Sequence, residues 1–331
     1  MDRQNQLQRW LTGPLHGASF SLEAASADAS FRRYFRVRAG ERSLIAMDAP
    51  PTHEDCRPFV QVAALMAAAG LHVPQVLAAD LEHGFLLLTD LGTAGYLDAL
   101  RRQPPAPLFS DATDALVRWQ LASKPGVLPP YDEALLRREI GLFPEWFLGR
   151  HLGMTLDVPR REALEDVYTQ IVRSNLAQPA VYVHRDFMPR NLMVCTPNPG
   201  VLDFQDAVYG PITYDVASLF RDAFISWEEE QVIDWTVRYW EKARRAGLPV
   251  DADFGAFYRD FEWMGLQRHL KVLGIFARLH YRDGKRGYLE DTPRFLAYVR
   301  AVAARYAALA PLLELVDEIE GRPGPRVGYT F

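Results

Sequence analysis

Aromatic and β-branched residues set among arginines over residues 31–38, and the apolar run Leu44-Ile45-Ala46-Met47 within 43–48, predict two strands. Between them, Ala39-Gly40-Glu41-Arg42 carries the glycine of a tight turn, so the pair reads as a hairpin. Pro50 and Pro51 close the second strand, and residues 59–69 change period, with apolar positions at helical spacing until Gly70 stops them. Strand character returns over 76–79 and 85–89 around Glu82-His83-Gly84, and Asp90-Leu91-Gly92 ends it. After a polar amphipathic opening, residues 1–92 thus form a small lobe of sheet plus one helix, with a hinge at about 89–95.

Beyond that point the period lengthens, and residues 93–331 read as a larger, mostly helical lobe. Helices are predicted over 111–123, over 132–150 with a disturbance at Pro144, and over 159–176, 253–279 and 292–313, with Pro-rich separators at 103–107 and 124–130. Ser226-Trp227-Glu228-Glu229 has capping-box spacing, so a further helix is predicted from there to 246, with Gly247 as its stop. Short strands over 181–184, 192–195 and 201–204 interrupt the helices. The class is therefore α+β. No internal repeat is present, and the Gly/Pro-bearing tail from Gly321 reads as flexible.

Composition narrows the function classes. At 331 residues with 49% hydrophobic and 24% charged positions, the chain has a substantial core. A net charge of −5 supplies no global positive field, which argues against nucleic acid as a partner. The longest near-continuous apolar run, 62–71, is half the roughly 20 residues of a membrane span, and residues 1–10 are too polar for a signal-peptide core. No membrane association and a cytoplasmic location are expected. Cys56 and Cys195 are expected as reduced thiols, and no Cys/His cluster has zinc spacing. Nothing points to an obligate protein partner.

The candidate chemistry lies between two of the short strands. His184-Arg185-Asp186-Phe187-Met188-Pro189-Arg190-Asn191 is followed by Asp203-Phe204-Gln205. Phosphoryl transfer from a nucleotide needs a carboxylate to orient the attacking hydroxyl and accept its proton, and oxygen ligands to hold Mg²⁺ on the phosphates. Asp186 suits the first role, Asn191 and Asp203 the second. A tight loop after a strand presents the base, its far end places an amide nearby, and a hairpin carries the next carboxylate across. His-x-Asp-x4-Asn alone arises by chance in on the order of one chain in a hundred of this length; the strand contexts lower that figure. The plainer alternative is that Asp186 and Asn191 are turn residues and Asp203 a cap.

These motifs and the lobe order resemble the aminoglycoside phosphotransferase-like and choline kinase-like branch of the protein-kinase-like fold, a bilobal α+β architecture. Within that branch, the run from Gly200 through Asp203 to Pro211 and the segment from Tyr214 through Asp215 to Leu219 are similar to the bacterial cell-wall amino-sugar anomeric kinases. So are Phe143-Pro144-Glu145-Trp146-Phe147 and Gln267-Arg268-His269-Leu270-Lys271-Val272-Leu273-Gly274. The resemblance implies transfer of the γ-phosphate of ATP, with Mg²⁺, to O1 of N-acetylmuramate and N-acetylglucosamine in peptidoglycan recycling. It implies that Asp215 accepts hydrogen bonds from the catalytic-loop backbone, with His184 also supporting that loop; a helix N-cap is the alternative for Asp215. It also implies adenine held by hinge backbone at Thr89, Asp90, Leu91 and Gly92, between apolar side chains such as Ile45 and Leu202.

Two departures from the family pattern stand out. No lysine precedes Lys124, so the usual phosphate-gripping lysine of the third strand is missing. Arg32 and Arg33 are the candidates to replace it, since a guanidinium binds phosphate oxygens as a fork; the alternative is that they face solvent. The loop at 26–30 also lacks the glycines of a phosphate cradle. For the acceptor, the locally basic stretch 268–286 favours an anionic small-molecule amino sugar over a polycation, although a solvated helix face explains it equally. Glu145, Trp146, Arg190, Asp206, Tyr209, Trp263, Arg268 and Lys271 are the candidate acceptor contacts. Other acceptors for the same chemistry are an aminoglycoside, choline or homoserine, and a non-catalytic nucleotide-binding regulator is the remaining reading.

Overall fold

The computed structural model describes residues 2–26 and 31–322. Residues 27–30 of the glycine-free loop and 323–331 of the tail lie outside the described residues. In chain order the elements are α1 (Arg3–Thr12), β1 (Ser21–Ser26), β2 (Arg33–Ala39), β3 (Arg42–Asp48), α2 (Arg57–Ala68), β4 (Val76–Asp80), β5 (Phe85–Thr89), α3 (Tyr96–Leu100) and α4 (Pro105–Leu121). Then come α5 (Glu133–Ile140), a π-helix (Phe143–His151), α6 (Val158–Leu176), β6 (Ala180–Val183), a 3₁₀ turn (Pro189–Asn191), β7 (Leu192–Met193), β8 (Gly200–Val201) and β9 (Val208–Pro211). Helices α7 (Tyr214–Phe220), α8 (Glu229–Arg245), α9 (Phe254–Tyr281), α10 (Thr292–Ala303) and α11 (Ala310–Ile319) complete the chain. The α+β class holds.

The chain divides into two compact units, Met1–Ala122 with Pro189–Ala207, and Ser123–Met188 with Val208–Phe331. The first is organised by a five-stranded antiparallel sheet of order β1-β2-β3-β5-β4. Its hairpin closes through Gly40-Glu41, pairing Ala39 with Arg42 and Arg36 with Ile45. Because side chains alternate across a strand, that register sorts the sheet into two faces. On one, Val37, Leu44, Ala46, Phe85 and Leu87 pack against Leu7, Leu11 and Leu15 of the N-terminal segment. The polar opening of the sequence is thus an amphipathic helix with a narrow apolar stripe. Its Arg3 and the strand residue Arg33 both bind Asp48, which is fully buried.

The second unit is built around α9, whose middle is buried on every side, including Glu262, Gln267, Arg268, His269 and Lys271. Around it Phe143, Phe147, Leu164, Ile171, Phe295 and Leu312 form the main core with Leu266, Leu270 and Leu273. Gly274 permits the closest approach: a Cβ there would lie 2.4 Å from the Leu142 carbonyl, so no side chain fits.

Several predicted boundaries move, for identifiable reasons. The helix expected from 111 starts at Pro105, because Pro105 and Pro107 fall in its first turn, where no backbone partner is lost. The capping box at 226–229 does not form: Glu228 is the N-cap without a side-chain bond, and Ser226 Oγ instead lies 3.2 Å from the Tyr298 hydroxyl. The predicted helix over 292–313 is two helices, since Pro311 is accommodated only at a helix start, and Tyr306 in the break donates to Glu262 at 2.6 Å. At Pro144 the expected disturbance takes the form of the π-helix. Strands β1 and β9 and helices α3 and α7 are too short or too irregular in pattern to be predicted.

Candidate functional site

The other face of the sheet borders a cavity of about 340 Å³ in the first unit, within the usual size of a small-molecule site. Tyr34 and Arg36 of β2, Ile45 of β3 and Leu88 of β5 line it, as the alternation requires. So do the predicted hinge residues Thr89, Asp90, Leu91 and Gly92, with Leu202, Asp203, Asn191, Arg190, Phe59 and Phe204. The apolar lining side chains Ile45, Phe59, Leu88, Leu202 and Phe204 suit a flat heteroaromatic ring. Asp90 accepts from Arg36 at 2.7 Å, from Ser43 Oγ at 2.5 Å and from the Gly92 backbone at 2.9 Å. Burial opposes its charge, but Arg36 and Ser43 hold the carboxyl below its usual range. The Asp90 carboxylate is therefore already engaged within the first unit by Arg36, Ser43 and the Gly92 backbone.

Asn191 and Asp203 are brought together by the short β7–β8 hairpin, which pairs Leu192 with Val201 and Met193 with Gly200. The Leu202 N–H donates to the Asn191 carbonyl at 2.9 Å, closing the ladder just before Asp203. The Asn191 amide then stands 3.3 Å from one Asp203 carboxylate oxygen, and Gln205 Nε2 donates to the other at 2.8 Å. Asp203 has φ +62°, a left-handed conformation that is uncommon outside glycine and that clusters at functional sites. These are hard oxygen donors of the kind that hold magnesium, which takes one or two protein carboxylates and completes its shell with phosphate and water oxygens. Among the described residues no cluster of three or more His, Cys, Asp or Glu is arranged to hold a metal unaided.

Arg32 and Arg33 separate. Arg33 turns to the face covered by α1, where it binds Asp48, and it is not at the cavity. Arg32 is largely buried, donates to Glu54 at 2.8 Å and interacts with Asp206, three residues after Asp203. Burial disfavours the Arg32 charge, yet Tyr34, Glu54 and Asp206 more than restore it. Asp206 itself is exposed, as is Arg190.

In the second unit, Asp186 follows β6 in a loop held from within. Asp215, in the first turn of α7, accepts the backbone N–H of His184 at 2.7 Å and of Arg185 at 3.0 Å, while Thr213 occupies the N-cap. Buried His184 accepts the Asp186 N–H on Nδ1 at 3.2 Å, and the Met188 N–H returns to the Asp186 carbonyl at 2.9 Å. Burial pushes Asp215 up to about 7, against the pull of those two N–H groups.

The candidate acceptor residues are distributed unevenly. Trp263 is buried edge-on against Tyr306, and Trp146 is half-buried against the main core. Arg268 is 2% exposed, with the Arg221 carbonyl at 3.5 Å and Met188 Sδ at 3.6 Å as neighbours. Lys271 is buried on Glu139 at 3.0 Å. Trp263, Arg268 and Lys271 are thus tied into the interior of the second unit, while Trp146 keeps part of its surface exposed. Glu145 is exposed, and Tyr209 is half-buried on β9 with an edge-on contact to Tyr182. Residues that sequence reading passed over are Tyr34, Arg36, Glu54 and Glu139. For Arg36 the signal was present: a two-residue turn at Gly40-Glu41 places it opposite Ile45. For Glu139 none was, because its partners come from distant segments.

Residues 21–250 match the phosphotransferase enzyme family. The chain is similar to an N-acetylmuramate/N-acetylglucosamine kinase of Pseudomonas aeruginosa, 57% identical over 298 residues that cover 90% of this chain and 88% of that one. A protein of the same name from Neisseria meningitidis is 51% identical over 100% of both chains. Among solved structures, a choline/ethanolamine kinase family protein from Mesorhizobium loti superposes with a TM-score of 0.61 at 16% identity, over 96% of this chain and 100% of that one. This last likeness shows the protein-kinase-like fold. With its Asn191–Asp203 hairpin and a matching segment spanning most of its length, the chain belongs to the phosphotransferase enzyme family.

Proposed function

We propose that this protein transfers the γ-phosphate of ATP to the anomeric hydroxyl of N-acetylmuramate and N-acetylglucosamine, giving the sugar 1-phosphate and ADP. The observation that carries the substrate class is the identity, above one half and across nearly the whole chain, to relatives named as kinases of those two sugars. The cavity against the sheet would take adenine between Ile45, Leu88 and Leu202, with the backbone at Thr89 to Gly92 as its polar edge. Arg32, fixed by Glu54, is the cation offered to the phosphates in place of the missing lysine. Asn191 and Asp203 would hold Mg²⁺ on the polyphosphate; the ion, when bound, neutralises charge on the β- and γ-phosphate oxygens.

Asp186 acts as the base. It accepts the O1 proton as the O1–phosphorus bond forms and the bond to the β-phosphate oxygen breaks, with ADP as the leaving group. Asp215 and His184 keep the loop in the conformation from which Asp186 acts. The short chain separation between Asp186 and Asn191 supports their work on one nucleotide.

Phosphorus NMR after incubation with Mg-ATP and a panel of acceptors tests the reading. An anomeric phosphate signal with either amino sugar is expected. A non-anomeric ester from choline, homoserine or an aminoglycoside, or nucleotide binding with no product, overturns it.

A further inference from the structure

Behind the Asp186 loop lies a closed cluster of charged and phenolic groups that the proposed mechanism does not use. At its centre is Glu139 of α5, 5% exposed. One carboxylate oxygen receives the Arg185 guanidinium and lies 3.0 Å from Lys271 Nζ; the other accepts the Tyr131 hydroxyl. Lys271 also donates to the Tyr214 hydroxyl at 3.0 Å. The Arg185 guanidinium lies 5.7 Å from the Tyr131 ring centre and the Lys271 ammonium 5.6 Å from that of Tyr214, so the two phenols wall the cluster. Gly210 of β9 makes room for it, since a Cβ there would lie 2.5 Å from Tyr131 Cβ.

The cluster touches the Asp186 loop through Arg185. That residue has φ +76°, a backbone state that persists only where its surroundings hold it. Its N–H is fixed on Asp215 and its side chain on Glu139, so both ends of one residue are tied immediately before Asp186. Buried ion pairs replaced by well-packed apolar residues often lose no stability, so two buried cations on a single carboxylate are weak evidence of a purely fold-holding role. Burial opposes the charge on Glu139, but Lys271 and Arg185 hold its carboxyl below the usual range, so the anchor stays ionised.

We propose that Glu139 is a positioning residue for Asp186: by anchoring the Arg185 guanidinium it holds the left-handed backbone from which Asp186 projects. The inference rests on the proposed role of Asp186 as base. Its test is a double-variant cycle of Glu139→Gln with Arg185→Met, read as kcat and KM with whichever acceptor the wild type phosphorylates. Glu139→Asp, which keeps the charge but withdraws the anchor by one methylene, carries the same cycle if Glu139→Gln does not fold. Glu139→Asp is expected to lower kcat about tenfold and Glu139→Gln about a hundredfold, with KM for Mg-ATP within about twofold of wild type. The double variant should lose no more than its worse single. Wild-type kcat in folded Glu139→Asp or Glu139→Gln, multiplying losses in the double variant, or KM rising in step with the fall in kcat would each overturn the inference. A different acceptor would overturn the proposed function and leave this inference standing.

Discussion

At the scale of single residues, the proposed roles make separable demands. If Asp186 is the base, Asp186→Asn keeps size and hydrogen bonding but loses the proton acceptor, so kcat should fall by about 10²- to 10⁴-fold with little change in Mg-ATP affinity. Steady-state kinetics with calorimetry would show this, and near-normal turnover would remove Asp186 from the role. If Asp203 holds the metal, Asp203→Asn should instead weaken Mg-ATP binding as well, since the substitution removes a charged oxygen ligand. Asp215 sets a pH dependence. Its carboxyl rises from 3.8 unfolded to about 7 folded, so the stability its neutral form contributes is full below about 3.8 and lost as pH climbs through about 7. Between about pH 5 and about pH 8 the wild-type thermal midpoint should therefore fall more steeply than that of Asp215→Asn; parallel slopes would contradict it. Asn191 and Asp203 were legible in the sequence because one short hairpin joins them. Arg32 and Arg33 were not separable there, since their partners Glu54 and Asp48 are settled by tertiary packing, and neither arginine lines the cavity.

Elements differ in how much of them the pattern discloses. The β2–β3 hairpin was readable because strand-like runs on either side of a glycine-containing turn are local properties. Helix α9 was readable as a helix, yet its buried charges were not, because its polar residues occupy core positions and find partners elsewhere. Gln267 donates to the Leu136 carbonyl at 2.8 Å, Lys271 meets Glu139, and Gly274 lies against Leu142. The motif that resembles the amino-sugar kinases is thus a spine against which α5 and the π-helix dock. Gly274→Ala places a methyl group on the Leu142 carbonyl and should destabilise by about 1–3 kcal/mol or more in urea unfolding. A wild-type midpoint in that variant would show that α9 and the π-helix tolerate separation.

For the molecule as a whole, ligand binding is the accessible test of the first unit's cavity. Ligand at a hundred times its Kd raises stability by about 2.7 kcal/mol, so saturating Mg-ATP should raise the thermal midpoint clearly. ATP with EDTA should raise it far less if Asn191 and Asp203 need the ion; equal shifts would argue against a metal there. No helix among the described residues is long and apolar enough to cross a membrane. By itself the sequence determined the α+β class, the hairpin, the helical texture after residue 92 and the Asp186, Asn191 and Asp203 motif. All of these follow from periodicity, turn chemistry and spacing within a few residues. Only the tertiary structure decided that Arg33 leaves the cavity while Arg36 lines it, that Trp263, Arg268 and Lys271 are scaffold, and that Glu139 gathers two cations behind the Asp186 loop. The reason is desolvation: a charged side chain is tolerated in a core only where partners meet it, and those partners come from segments whose separation along the chain carries no trace of their contact.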